Sequence, residues 1–238
     1  MKKIFWGIVM FVLFAATGPA VAADAQSPSS DPTTYNWTGF YVGLNGGYGW
    51  GDTDWSYQPS APGPQPNHTI NGGVIGGTAG ANLQLLSSPG GIPALVGGIE
   101  ADFDWADMGG GTACPNGDFR CKSNIEEIST LRGRIGLAFD RFFIFGTAGL
   151  AVGNVNVETV NTAGNSPPSG TPTNGENSWR TGFAVGVGGE YALCNKMSLK
   201  LEYLHYDLGS HNYSVDFSTQ VRAGERGDLA RAGLNYKF

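Results

Sequence analysis

The sequence predicts an all-β fold: an eight-stranded antiparallel up-and-down β-barrel that crosses a membrane. Three observations predict it. Glycine supplies 38 of the 238 residues, and charged residues only 14%, against a usual charged share of about 25%. Eight segments show the period-2 alternation of β-strands. The links between them are alternately short and long, which is typical of transmembrane β-barrels.

The segment before the barrel is expected to direct export. A positively charged start precedes an apolar run over 4–16, and the small residues at 20–22 suit a cleavage site. Residues 1–22 are therefore predicted to be a signal peptide, with an uncleaved anchor as the alternative. Residues 23–35 are rich in Ser, Pro, Asp and Thr and are predicted to form a flexible periplasmic leader. The barrel domain is predicted over 36–238.

The first four strands differ in how clearly they alternate. The first, 40–48, is aromatic or aliphatic at every even position but one. The second, 70–85, is dominated by glycine, which leaves its register open. The third, 99–105, is apolar at odd positions and acidic between them, and the fourth, 131–139, carries two arginines on its polar face.

The last four strands continue the pattern towards the C-terminus. The fifth, 142–152, is apolar on both faces, so its register also stays open. The sixth, 180–191, and the seventh, 198–208, place apolar residues at odd positions. The eighth, 230–238, alternates throughout. The glycines fall mainly on the polar faces, which suits the crowded interior of a narrow barrel.

The links predict which end of the barrel faces which compartment. Three are short: 87–93, 140–141 and 193–196. Four are long and rich in Pro, Gly, Asn, Ser and Thr: 51–69, 106–127, 154–177 and 209–227. Short turns lie on the periplasmic side of such barrels and long loops outside. We therefore expect short periplasmic turns and four long extracellular loops.

Alternation alone does not show which face is inside, because a soluble lipocalin-like barrel has its apolar face inward. Two features favour the membrane. The polar face is poor in charge and rich in small residues, as a crowded lumen requires. The apolar face carries aromatic residues near strand ends, where Trp and Tyr meet the membrane interface. These are Phe40, Tyr48, Trp50, Trp105, Phe139, Tyr191, Tyr203, Tyr236 and Phe238.

Ten charged residues on the polar face are predicted to form a network in the lumen. They are Glu100, Asp102, Arg132, Arg134, Arg180, Glu190, Lys200, Glu202, Arg231 and Lys237. An eight-stranded barrel is just wide enough for its side chains to fill the interior. Opposite charges there should pair, because an unpaired buried charge is costly. A plugged lumen with negligible conductance is expected, and a narrow porin is the alternative.

Cysteines and histidines give few signs of chemistry. Cys114 and Cys121 are expected to form a disulfide, because exported proteins fold in an oxidising compartment. Two thiols without a nearby histidine are a poor zinc site, and Cys194 is left as a free thiol or an intermolecular partner. Asp207 shares a face with His205, but no serine is convincingly placed beside them. No enzyme activity and no cofactor or metal is therefore expected.

Several segments resemble those of opacity-type, OmpA-like outer-membrane barrels of proteobacteria. They are 36–50, 72–77, 131–136, 199–203 and 207–209. The ending 231–238 resembles the outer-membrane β-signal, with Leu234, Tyr236 and Phe238 on its apolar face. This resemblance implies assembly by the Bam machinery and a place among outer-membrane lipids and lipopolysaccharide. It also implies surface-antigen relatives and a host or surface ligand bound through the loops.

Together these observations predict an integral outer-membrane protein with a structural, envelope-organising and surface-exposed role. A narrow porin for small solutes and a loop-mediated adhesin are the alternatives. The formal net charge of −6 argues against nucleic acid as a partner, since that requires a basic face.

Overall fold

The eight predicted strands are all present and close into a barrel. A computed structural model describes residues 35–58, 65–86, 93–115, 119–161, 175–216 and 219–238. Its strands are β1 (Gly39–Gln58), β2 (His68–Leu86), β3 (Ala94–Ala113), β4 (Phe119–Phe139), β5 (Phe142–Asn161), β6 (Gly175–Ala192), β7 (Met197–Asp216) and β8 (Thr219–Lys237). Each pairs antiparallel with its neighbours in chain order, and β1 pairs with β8. The predicted signal peptide lies outside the described residues, as does the leader apart from Tyr35. In the part of the chain described, no helix is long and apolar enough to cross a membrane.

The apolar face points outward, so the lipocalin-like alternative is wrong. Phe40 is 72% exposed and Leu131 is 56% exposed, whereas Arg132 is 1% exposed. All nine aromatic residues predicted for the outer face are exposed. The outward apolar side chains form a continuous band, which we call the apolar band. A surface of this kind is stable only where hydrocarbon, and not water, surrounds it.

The structure also fixes the two registers that the sequence left open. In β2, Thr78 is buried and Ile75 is exposed. In β5, Phe143 and Phe145 are buried in the lumen and Ile144 is exposed. Two of the aromatic residues of β5 therefore fill the interior. The sequence could not predict which face of β5 points inward, because both of its faces are apolar.

The four links predicted as long loops are largely strand. Only 217–218 separate β7 from β8, and only 114–118 separate β3 from β4. The sequence predicted loops there because the polarity of the two faces reverses beyond the apolar band, where water surrounds the barrel. On β1, Trp55 is buried in the lumen while Asp54 points outward, which is the reverse of the pattern at Tyr41 and Phe40. A polar exterior with many Gly and Asn residues has the composition of a loop but here forms strands.

Candidate functional site in the barrel lumen

Arg132 on β4 is the centre of an ionic network inside the membrane-level part of the barrel. Its Nη2 donates to Glu100 at 2.8 Å and to Asp102 at 2.7 Å, and its Nη1 donates to Glu202 at 2.7 Å. Its Nε donates to the Thr130 hydroxyl at 2.7 Å. Strands β3, β4 and β7 place these groups at inward positions at one level. One guanidinium thus bridges carboxylates from opposite walls of the lumen.

Arg231 on β8 extends the network towards the outer end. It donates to Asp102 at 3.0 Å and to Glu202 at 2.7 Å, and it also pairs with Asp104. Lys200 lies 2.9 Å from Glu100. These side chains are at most 2% exposed. Such burial is tolerated because each charge has at least one partner of opposite sign.

Arg134 extends the network towards the inner end. Its guanidinium pairs with Glu100 at 3.1 Å and with Glu190 at 2.7 Å, and it donates to the Tyr41 hydroxyl at 2.8 Å. It also lies 4.1 Å from the centroid of the Phe145 ring. The guanidinium therefore has both ionic and aromatic partners, as a desolvated cation requires.

The structure brings together eight of the ten predicted charges. They are Glu100, Asp102, Arg132, Arg134, Glu190, Lys200, Glu202 and Arg231. The other two lie elsewhere, because alternation predicts the face of a residue but not its depth. Arg180 lies nearer the outer end, where it donates to the Tyr213 hydroxyl and the Leu208 carbonyl. Lys237 is at the inner rim, where its ammonium donates to the Asn36 carbonyl.

The list of ten predicted charges leaves out several members of the network, although the alternation of the third strand already placed Asp104 on the polar face. Asp104 shares the inward face of Asp102 and completes it. Tyr41, Ser198 and Asn235 donate to its carboxylates. The signal that would have found them is the same alternation, since each occupies an inward position of its strand. A prediction restricted to charges leaves out the neutral donors that satisfy a buried carboxylate.

Beyond the network, an apolar cluster fills the outer part of the lumen. Its largest fully buried side chains are Trp55, Ile70, Met108, Ile125, Ile128, Leu204, Tyr206, Leu208 and Tyr213. The predicted disulfide joins Cys114 to Cys121 across the outer ends of β3 and β4. The Tyr57 hydroxyl lies 3.5 Å from the Cys121 sulfur. The disulfide therefore contacts the outer part of this cluster. Cys194 is exposed and free.

Glu225 is a buried carboxyl group within this apolar cluster, beyond the apolar band. Its side chain is 1% exposed, and neither carboxyl oxygen has a hydrogen-bond partner among the described residues. Burial raises the pKa of Glu225 to about 7, although nearby Arg180 acts in the opposite direction. A β-bulge at 207–210 faces it across the β7–β8 pair, with Gly209 at a φ of 67°.

The inner end of the lumen is closed by the residues that precede β1. Trp37 is 2% exposed, and its Nε1 donates to the Asp140 carbonyl at 2.9 Å. Its ring packs 5.1 Å from the Phe143 ring. Tyr35, which the sequence assigned to the flexible leader, packs against Trp37 and donates its backbone N–H to the Asp140 carboxylate at 2.8 Å. Tyr35 is therefore held against the barrel.

A small polar cluster lies on the outside of the barrel at the outer edge of the apolar band. His205 Nδ1 lies 3.0 Å from the Asp228 carboxylate, and the Tyr203 hydroxyl donates to the same oxygen at 2.7 Å. Asp207, the acid that the sequence placed beside His205, instead accepts from the Gly209 backbone N–H at 2.7 Å. Within the described residues no group of three or more His, Cys, Asp or Glu side chains is arranged to hold a metal.

Comparison with known proteins agrees with this architecture. The family model described as "Outer membrane protein beta-barrel domain" matches residues 11–238. The "31 kDa outer-membrane immunogenic protein" of Brucella melitensis biotype 1 is 31% identical over 256 aligned positions, which cover 100% of both chains. The "22 kDa outer membrane protein" of Rhizobium leguminosarum bv. viciae is 28% identical over 85% of this chain and 79% of its own.

A solved structure shows the same fold. The outer membrane protein OprG from Pseudomonas aeruginosa superposes with a TM-score of 0.52 at 14% sequence identity, covering 86% of this chain and 98% of that one.

Proposed function

The chain belongs to the outer-membrane protein β-barrel domain family, and on that premise we propose that it is a closed barrel with a structural, non-catalytic role in the outer membrane. The outer-membrane immunogenic proteins among its relatives support a surface-exposed role. One observation carries the proposal: the lumen is filled along its length. Trp37 closes the inner end, the ionic network fills the middle, and the apolar cluster fills the outer part.

The composition of the filling supports a closed lumen more strongly than barrel width alone. A conducting pore needs a continuous path lined by hydrated polar groups. Here the ionic side chains bond to one another, and the outer part of the lumen is lined by rings and aliphatic groups such as Trp55 and Tyr213. An ion entering from the outside would have to leave its hydration shell in an apolar region, at a large cost in free energy.

Planar-bilayer recording of the folded full-length mature protein tests this proposal. We expect no discrete conductance steps at either polarity, with a wide-bore porin inserted in the same bilayer as the positive control. Reproducible single-channel steps would overturn the closed-barrel proposal and favour the narrow porin.

We also propose, from the resemblance of its ending to the β-signal, that the Bam machinery recognises β8 during insertion. Leu234, Tyr236 and Phe238 all point outward, at 43%, 40% and 72% exposure, and are available to a partner before β1 pairs with β8. The loop-mediated adhesin remains a separate outcome. Replacing the two longer links, 59–67 and 162–174, by short turns would abolish surface attachment if that role applied.

A further inference from the structure

Two concave surfaces on the outside of the barrel meet at His205. One is an apolar groove of about 660 Å³ across β4, β5, β6 and β7, lined by Ile135, Val185, Val187 and Tyr203. The other is a polar pocket of about 200 Å³ over β8, β1 and β2. His205 lines both. One ligand that covers His205 can therefore occupy both surfaces.

The floor of the groove consists of small residues on the lipid-facing side. Gly133, Gly146 and Ala148 occupy outward positions whose neighbours along β4 and β5 are mostly large, such as Leu131 and Leu150. A Cβ added at Gly133 or Gly146 would first meet a backbone oxygen 3.9 Å away. The packing of the barrel therefore does not require glycine at either position, and the missing side chains leave room on the membrane side.

The groove descends into the membrane from the pocket. The pairing registers form one row across the sheet: Asn71, Trp50, Asp228, His205, Val185, Ala148 and Gly133. Because barrel strands tilt by about 35–45°, a row of partners changes depth around the barrel. At Asn71 the row lies beyond the apolar band, whereas at Gly133 it lies inside the band, between the exposed Leu131 and Ile135.

The length of the groove fits one hydrocarbon chain. With strands about 4.8 Å apart, the three strand steps from His205 to Gly133 cover roughly 14 Å. The hydrocarbon of one leaflet is about half of a 30 Å core. Because the row is inclined to the membrane plane by about 35–45°, it descends by roughly 9 Å over this distance. A chain lying along the row would thus run obliquely from the outer interface into the outer leaflet.

The polar pocket combines hydrogen-bond donors, acceptors and an indole ring. Asp52 and Asp228 supply carboxylate acceptors, Asn71 and Arg226 supply donors, and Trp50 supplies an aromatic surface. With two carboxylates against one guanidinium, the pocket is a poor site for an isolated anion. It suits a ligand rich in hydroxyl groups, because each hydroxyl both donates and accepts while the sugar C–H groups pack on the ring.

We propose that this joined surface binds one outer-leaflet glycolipid, with an acyl chain in the groove and its sugar headgroup in the polar pocket. The proposal rests on the placement of the barrel in the outer membrane and not on the closed lumen. Evidence that the barrel conducts ions would not contradict glycolipid binding, so the two proposals are tested independently.

Native mass spectrometry of the folded full-length mature protein in detergent tests the proposal. The probe is purified hexa-acylated lipid A from which the phosphates have been removed, because the pocket is a poor site for an anion, with phosphatidylethanolamine and phosphatidylglycerol as competitors. We expect a saturable one-to-one adduct with lipid A, retained at a tenfold excess of either phospholipid. Equal retention of all three lipids would overturn the assignment to a glycolipid.

Variants distinguish binding in the groove from general contact between the barrel and lipid. Gly146→Leu fills the floor and is expected to weaken the lipid A adduct at least tenfold, and Gly133→Leu is the second variant should the first not fold. The control is Gly77→Leu on β2, an outward glycine away from both surfaces, whose added Cβ would lie 3.6 Å from the nearest backbone oxygen. Heat-modifiable gel mobility shows whether each variant is folded. Undiminished binding by a folded groove variant, or an equal loss in the control, would overturn the proposal.

A second test changes the polar pocket at the outer edge of the apolar band. Asn71→Ala together with Trp50→Ala is expected to reduce lipid A binding at least tenfold while leaving phosphatidylethanolamine binding unchanged. Equal reduction of both lipids would contradict sugar recognition.

Discussion

Arg132 shows, at the scale of one residue, how a barrel can hold charge inside a membrane. Its guanidinium is 0% exposed and contacts Glu100, Asp102 and Glu202. A planar group with five donors is suited to such bridging, whereas a lysine ammonium offers a single point of charge. The burial of these carboxylates is tolerated because Arg132 and the neighbouring cations of the network together compensate their charge.

Replacing Arg132 with methionine is therefore expected to destabilise the barrel strongly. Removing one partner from a buried ionic group typically costs about 3–5 kcal/mol, because the remaining charges stay buried without compensation. Urea unfolding in lipid vesicles measures the free energy of unfolding. The matched control is Arg226→Met, which removes an exposed pair with Asp54 at 3.3 Å and should cost less than about 1 kcal/mol. Equal losses would show that the network does not stabilise the fold.

Glu225 predicts a pH dependence of stability with a definite sign. Its carboxyl stays neutral in the folded barrel up to about pH 7, whereas in the unfolded chain it titrates near 4.5. Unfolding then releases a proton between these values, so the free energy of unfolding falls as pH rises from about 4.5 to 7. The loss is on the order of 3 kcal/mol. The groups facing Glu225 are Arg180, Tyr206 and Tyr213.

Glu225→Gln tests this, because an amide keeps the shape but cannot ionise. Urea unfolding at pH 5 and pH 8 should show a smaller difference in the variant than in the wild type. The control is Asp107→Asn, an exposed outward carboxylate, which should leave the difference unchanged. A pH dependence that persists unaltered in Glu225→Gln would assign it to other groups.

At the scale of elements, β8 combines two roles that can be separated. Its alternation builds the wall of the barrel, and its apolar face ends at Phe238, which is 72% exposed. We expect Phe238→Ala to reduce the folded outer-membrane fraction in cells several-fold, with little effect on spontaneous refolding into vesicles. Phe139→Ala is the control, since that ring is also outward at the inner end but on β4. An equal defect in both variants, or a defect in vesicles, would argue against a recognition signal.

The β3–β4 hairpin carries a second element-scale prediction. Its disulfide joins residues seven apart, and closing so short a loop is expected to stabilise the folded hairpin by roughly 2–3 kcal/mol. Cys114→Ser should therefore lower the free energy of unfolding by that amount. Alkylation without reductant followed by mass spectrometry should label one thiol per chain, at Cys194. Labelling of three thiols in the native protein would contradict the pairing.

The strands also show what sequence patterns can and cannot predict. Alternation predicted the strand count and which residues share a face, because side chains at 2-residue spacing share a face whatever surrounds them. The outward direction of the apolar face was predicted from its aromatic residues and from the small residues opposite. Alternation failed where the surroundings change. Residues such as Trp55 and Tyr213 lie in extended strands whose polarity is reversed beyond the apolar band, and these were assigned to loops. Arg180 was placed on the correct face, but alternation did not predict its depth, since tilt and register are properties of the closed sheet.

At the scale of the whole molecule, the lumen contains three fillings of different chemistry in series. The inner filling is aromatic and centred on Trp37, the middle one is ionic, and the outer one is apolar. Resistances in series add, so the conductance of the path is set by its narrowest part. Removing one filling therefore leaves the path limited by the other two.

Trp37→Ala is accordingly expected not to open the barrel. Planar-bilayer recording should show no single-channel steps in this variant, although the inner end has lost its largest ring and stability should fall by about 3 kcal/mol or more. Tyr35→Ala is the matched control, because it loses a neighbouring ring that contacts Trp37 at the rim. Steps in Trp37→Ala but not in Tyr35→Ala would show that Trp37 alone closes the barrel, and that the ionic and apolar fillings are permeable to ions.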